Sequence, residues 1–185
     1  LVPETNYSFK IRGVNKTGPS DWASITEKTG KNPLEYAIHN ISAEASAAPE
    51  EGMGIDKMFD FDEGDDWHTS YDAKAVPFDV VIDLNSVNEL DKLQYLPRIS
   101  GRNGIITQAR IYYSPDKNSW TEAGEVNWSR DNKTKEYRFE NHPLARYIKI
   151  AVEAAAGNFG SGRELYIFKV PGSESYLPGD INNDH

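Results

Sequence analysis

From residue 36 to residue 170 the chain is a train of short runs rich in β-branched and aromatic residues, and helical spacing is almost absent. Residues 36–46 alternate, FDVVIDL at 78–84 is nearly continuous in strand formers, and 90–96, 105–113, 145–152 and 164–170 come after it. Polar turns separate them, most clearly SPDKNSW before Trp120 and RDNKTKEYRFE with Asn132 and Lys133 at its tip. A single helical turn is expected near 55–59. About eight short strands of this kind predict an all-β fold, an antiparallel β-sandwich of the jelly-roll type. Trp67, Trp120 and Tyr112 are read as its core, because large rings seek burial.

The first thirty residues have a separate pattern. Tyr7, Phe9 and Ile11 fall on one face of NYSFKIRGVN, and TGPSDWA turns the chain towards Ile25. Two strands cannot bury a core unaided, so residues 1–30 form a remnant of another unit or pack on the strands C-terminal to them. TGKNPLE at 29–35 has the composition of a linker, which places the main domain at 34–172 and a further linker and module start at 173–185.

Cysteine is absent, so disulfides, thiolate chemistry and sulfur-ligated zinc are excluded and oxygen-ligated metal is the natural staple. A formal net charge of −9 opposes nucleic acid and anionic membrane surfaces as partners. Neither a bilayer-spanning run nor a signal segment is found, so membrane insertion is not expected. There is no nucleophile motif, no phosphate-cradling glycine loop and no metal motif with an open position, so catalysis is not expected.

Against that background one stretch stands out: KMFDFDEGDDWHT at 57–69. Asp60, Asp62, Glu63, Asp65 and Asp66 would repel one another, and a hard cation such as calcium relieves that repulsion. The alternative is a solvated acidic loop, but Phe59, Phe61 and Trp67 within and behind the run argue for an ordered one. The spacing is not that of an EF-hand, whose Gly and terminal Glu are missing at their offsets.

Four passages, in order, resemble a discoidin domain, the coagulation factor V/VIII type C domain, and within it a family 32 carbohydrate-binding module. They are KMFDFDEGDDWHT, FDVVIDLN, YLPRISGRNGIITQARIYYSPD and RELYIF. The resemblance implies a structural calcium held by the carbonyl of Lys57, the carboxylates of Asp60, Asp62 and Asp65, the carbonyl of Arg163 and the carboxylate of Glu164. Two residues depart from the family pattern. Phe61 stands where Gly is usual, which strains a turn needing positive φ, and Asp65 replaces a hydroxyl residue, which strengthens cation attraction.

The same resemblance implies a sugar site formed by His68, Arg98 and Asn103, with Phe159 as the stacking aromatic and Tyr71 and Glu51 as further contacts. An imidazole, a guanidinium and an amide together offer both donors and acceptors to hydroxyls. The structural alternatives are that His68 only supports the acidic loop, that Arg98 forms a surface ion pair, and that Phe159 folds inward. The implied function is non-catalytic binding of glycans ending in galactose or N-acetylgalactosamine, in a secreted or cell-surface bacterial monomer linked to a glycan-active enzyme. A protein- or lipid-binding discoidin domain is the alternative. Residues 1–30 resemble the end of a fibronectin type III domain, and PGDINNDH resembles the opening of a dockerin, with Asp180, Asn182 and Asp184 at its first loop positions.

Overall fold

A computed structural model describes residues 1–175, so the dockerin-like residues lie outside the described part. Contacts divide the chain into Leu1–Glu35 and a larger unit from Tyr36 onward. In the first unit β1 (Asn6–Ile11) pairs antiparallel with β4 (Ala23–Lys28), and the short β2 (Val14–Asn15) and β3 (Gly18–Pro19) pair between them. Phe9 faces Ile25 across the ladder and both are exposed, as the weak covering capacity of a two-stranded sheet requires.

The larger unit is built on β5 (Ser42–Ala45), β6 (Trp67–His68), β7 (Phe78–Leu96), β8 (Ile106–Ser114), β9 (Thr121–Asn127), β10 (Lys135–Arg138), β11 (Leu144–Ala155), β12 (Ser161–Gly162) and β13 (Glu164–Lys169). Every pairing between these strands is antiparallel. A 3₁₀ turn at Ile55–Met58 supplies the single helical turn expected near 55–59.

The sequence reading treats 78–84 and 90–96 as two strands, whereas the structure joins them in the 19-residue β7. The polar residues between them are a bend: Asn85 takes a left-handed φ of 62°, and the register with β11 slips between Ala145 and Tyr147. The first half of β7 pairs with β5 and β11, and the second half with β10 and β13. One strand therefore serves both layers of the sandwich. Alternation along it buries Val80, Ile82, Leu84, Leu90 and Leu93 against Ile111, Ile148, Ile150 and Ile167, each worth about 1.5–3 kcal/mol when fully buried.

Trp67 is fully buried in this core, as expected. Trp120 and Tyr112 are not. Because Ile111 points inward, its neighbour Tyr112 must face outward, and the Lys149 ammonium lies 4.7 Å from its ring centroid and 5.1 Å from that of Trp120. No helix among the described residues is long and apolar enough to cross a membrane.

Candidate functional site

Four loops are laced together at one end of the sandwich. β6 pairs with β12, placing His68 opposite Ser161, and Ile105 bridges to Ser161 from the other side. The Thr69 amide donates to the Gly160 carbonyl at 2.9 Å, while the Gly160 amide donates to the Thr69 hydroxyl at 2.9 Å. Only glycine fits at 160, since a Cβ there would lie 2.5 Å from Phe78 Cζ and 2.8 Å from Trp67 Cη2. The loop carrying Phe159 is thus seated on the core.

His68 is 0% exposed. Its Nδ1 lies against the Thr69 carbonyl, which can only accept, so Nδ1 carries the proton and Nε2 is a bare lone pair. That Nε2 is buried without a partner. Burial above all, with a smaller opposing contribution from the Thr69 carbonyl and a further push from the Arg98 charge, lowers the imidazole pKa below 6.5 and keeps it neutral at physiological pH.

Around this acceptor the structure gathers most of the expected residues. The His68 ring centroid is 4.3 Å from Tyr71 and 5.7 Å from Phe159, which are themselves 6.1 Å apart. Arg98 is anchored to Asp66 at 3.4 Å, and its Nε is buried without a partner. Asn103 approaches the Phe159 loop, for its Oδ1 lies 3.1 Å and Phe159 Cδ2 lies 3.2 Å from where a Cβ on Gly157 would stand. Phe159 is half-exposed, so it does not fold into the core.

Glu51 is exposed on a turn, and no side-chain hydrogen bond or ion pair among the described residues ties it to this group. Its neighbour Glu50 takes part instead: Oε2 accepts the Tyr71 amide at 2.8 Å, and the Glu50 amide donates to the His68 carbonyl at 2.9 Å. Lys74 joins the group without any sequence signal, since it sits in a polar loop. Its ammonium donates to the Gly157 carbonyl at 3.1 Å and lies 5.5 Å from the Phe159 centroid.

The acidic loop packs beside this end. Glu164 is 0% exposed, and neither carboxylate oxygen has a hydrogen-bond partner. Burial foremost, then the Asp60 charge and Glu63, push its pKa up to about 8. Asp65 gives one oxygen to the Lys57 ammonium, and its Oδ1 is buried with no partner. Asp60 accepts the Asp62 amide at 2.9 Å and Asp62 accepts the Gly64 amide at 2.8 Å, which folds the loop on itself. Phe61 adopts the strained left-handed φ of 65° where glycine would be at ease, and its ring stacks on His39 at 4.2 Å.

Among the described residues no three His, Asp or Glu side chains converge on one point. The donor set nevertheless fits a hard cation. A buried carboxylate lacking both a counter-charge and a hydrogen bond, beside further carboxylates, is the environment such an ion relieves.

A family model described as F5/8 type C domain matches residues 40–165. The chain belongs to this family. The matched part of the F5/8 type C domain runs from just before β5 to the start of β13, so it contains both the acidic loop and Glu164. Its solved neighbours include the module CpGH89CBM32-5 from Clostridium perfringens in complex with GalNAc-β-1,3-galactose, 29% identical with a TM-score of 0.67, covering 71% of this chain and 99% of that one. Another is the family 32 carbohydrate-binding module of C. perfringens NanJ in complex with galactose, 26% identical with a TM-score of 0.67, covering 72% and 98%. Among curated proteins an A type blood N-acetyl-α-D-galactosamine deacetylase of Flavonifractor plautii is 28% identical over 97% of the chain. The chain spans 20% of that relative's length.

Proposed function

We propose that this domain is a non-catalytic module that binds glycans ending in galactose or N-acetylgalactosamine and tethers a linked, secreted bacterial glycan-active enzyme to them. The observation that carries this reading is the bare, buried Nε2 of His68, whose ring lies beside the half-exposed Tyr71 and Phe159 rings that a ligand would have to pass. A buried acceptor without a partner costs about 1–3 kcal/mol, and a sugar hydroxyl donating to it recovers that cost. Arg98 and Asn103 offer donors on either side, and Phe159 offers an apolar face for the C–H side of a pyranose. The neighbours solved with galactose and with a GalNAc-containing disaccharide support the same class of ligand.

A single such site should bind weakly, at roughly millimolar Kd, with multivalency supplying retention. A lipid-binding role would need a basic rim around exposed apolar tips, whereas Glu50 and Asp66 stand among the residues here.

The test is calorimetric titration with galactose, N-acetylgalactosamine and N-acetylglucosamine, using wild type and Phe159→Ala. Binding of the first two, absence of the third, and loss in the variant are expected. No heat with any sugar at tens of millimolar would sink the proposal.

The acidic loop is proposed to hold a structural calcium through the carbonyls of Lys57 and Arg163 and the carboxylates of Asp60, Asp62, Asp65 and Glu164, which do not converge in the metal-free geometry and would have to draw in around the ion. Bound there, the ion would neutralise Glu164 and clamp the loop to the start of β13. Asp65 would have to exchange its Lys57 partner for the ion.

A further inference from the structure

A cleft of about 340 Å³ lies between the loop after β7 and the turn joining β9 to β10, lined by Ile99, Gly101, Arg102, Ile105, Asp131 and Asn132. It is separate from the His68 group but shares a loop with it, since Arg102 directly precedes Asn103. The spacing is set by the ladder: Ile105 bridges to Ser161, and Ser161 pairs with His68. Two strand spacings place the cleft's floor about 10 Å from the His68 backbone.

The walls are chemically prepared. Asp131 is a fixed acceptor, with Oδ1 receiving the Lys133 amide at 3.0 Å and the Lys135 ammonium, and Oδ2 receiving the Ser129 hydroxyl at 2.8 Å. Lys135 is only 6% exposed, so this arrangement is built into the turn. Among the described residues the Arg102 guanidinium forms no ion pair, and the Arg102 and Asn132 side chains form no hydrogen bond. Ile99 is 64% exposed at the rim, an apolar face of the kind that packs on sugar C–H groups. The Lys135 ammonium compensates the Asp131 carboxylate, which leaves the Arg102 guanidinium, among the described residues, as a donor without a counter-charge.

Resting on the reading of the His68 group as a sugar site, we infer that this cleft is a second subsite, taking the sugar next to the terminal residue. Arg102 and Asn132 donate to its hydroxyls and Asp131 accepts from them. The domain then reads a disaccharide or longer glycan rather than an isolated terminal sugar, and the linkage decides which chains reach the cleft.

Calorimetry on the purified chain with galactose, N-acetylgalactosamine, GalNAc-β-1,3-galactose, Gal-β-1,3-GalNAc and Gal-β-1,4-GlcNAc tests this. At least one disaccharide should bind about 5–10-fold more tightly than its terminal monosaccharide, the gain expected from one or two added hydrogen bonds. The double variant Arg102→Ala, Asn132→Ala should lose that gain while keeping monosaccharide affinity and the wild-type melting temperature. Disaccharides no tighter than monosaccharides in the wild type, or a gain that survives the double variant, overturns the subsite alone. No binding of any sugar overturns the terminal-sugar reading and removes the subsite with it.

Discussion

Glu164 gives the metal proposal its sharpest test. In the metal-free domain its carboxyl is pushed from 4.5 up to about 8, first by burial and then by Asp60 and Glu63, whereas in the unfolded chain it is an ordinary carboxylate. Between those two values the folded state keeps a proton that the unfolded state has lost, so this group makes stability fall as pH rises through the window. At pH 7 the shortfall covers 2.5 pH units at about 1.4 kcal/mol each, roughly 3 kcal/mol relative to pH 4.5 and below. The group is 0% exposed, so water does little to reduce that figure.

Bound calcium would reverse the sign, because the ionised carboxylate would become a ligand. At a hundredfold excess over Kd the ion adds about 2.7 kcal/mol, or roughly 5–10 °C in a domain of this size. The assay is thermal melting from pH 5 to 8, with excess EGTA or excess calcium, on wild type and Glu164→Gln. In EGTA the wild-type Tm should decline relative to the variant as pH rises, and the calcium gain should be small at pH 5 and full by pH 8. The variant should show neither effect. The reasoning is refuted if wild type and Glu164→Gln track each other in EGTA across the range, or if the variant gains as much from calcium as the wild type.

Because burial lowers the His68 pKa below 6.5 and the neutral ring is the acceptor, galactose affinity should hold from pH 8 to 6.5 and fall only at lower pH. A decline already under way at pH 7, measured by titration, would contradict the assigned tautomer. Phe61→Gly relieves a left-handed residue at roughly 1–2 kcal/mol but gives up the ring stacked on His39, whereas Phe61→Ala gives up the ring and keeps the strain. Urea melts should therefore find the glycine variant about 1 kcal/mol more stable than the alanine variant, and the reverse order would show that φ is not the strained coordinate. Gly160→Ala drives a methyl into Phe78 and Trp67, so a loss of about 1–3 kcal/mol together with weaker galactose binding is expected, and a neutral result would mean that this loop shifts freely.

The strands that can be read from sequence are those whose burial alternates within one layer, such as β11, or whose apolar run is nearly continuous, such as β13, which is buried from Glu164 to Phe168. The joining of 78–84 to 90–96 cannot, because a bend that passes a strand between layers has the composition of a turn: Asn85 takes a positive φ and still belongs to β7. Trp120 and Tyr112 lie outside the core for a related reason. Ring size argues for burial, but strand parity decides the face, and Ile111 claims the inner one. The four residues His68, Arg98, Asn103 and Phe159 are legible through the motif around each, while Glu50 and Lys74 join them through backbone contacts across loops, which no spacing in one stretch records.

The acidic loop and the His68 group share one mechanical element, and this connects their chemistry. β6 comes directly after the acidic loop, Trp67 anchors it in the core, and His68 leaves it towards Thr69 and the Phe159 loop. Across the ladder β12 leads within one residue to β13, where Glu164 lies. The uncompensated burial of Glu164 beside Asp60 therefore acts on the two strands whose pairing sets His68 opposite Ser161. An ion that settles those carboxylates would fix that pairing without touching the sugar. Calcium depletion should then weaken galactose binding through loss of order, by about the fraction of molecules whose loop has opened, while the ratio of galactose to N-acetylgalactosamine affinity stays unchanged. Titration of both sugars in EGTA separates the cases: equal loss of strength with retained preference fits a clamp, and a changed preference would mean that the ion contacts the ligand.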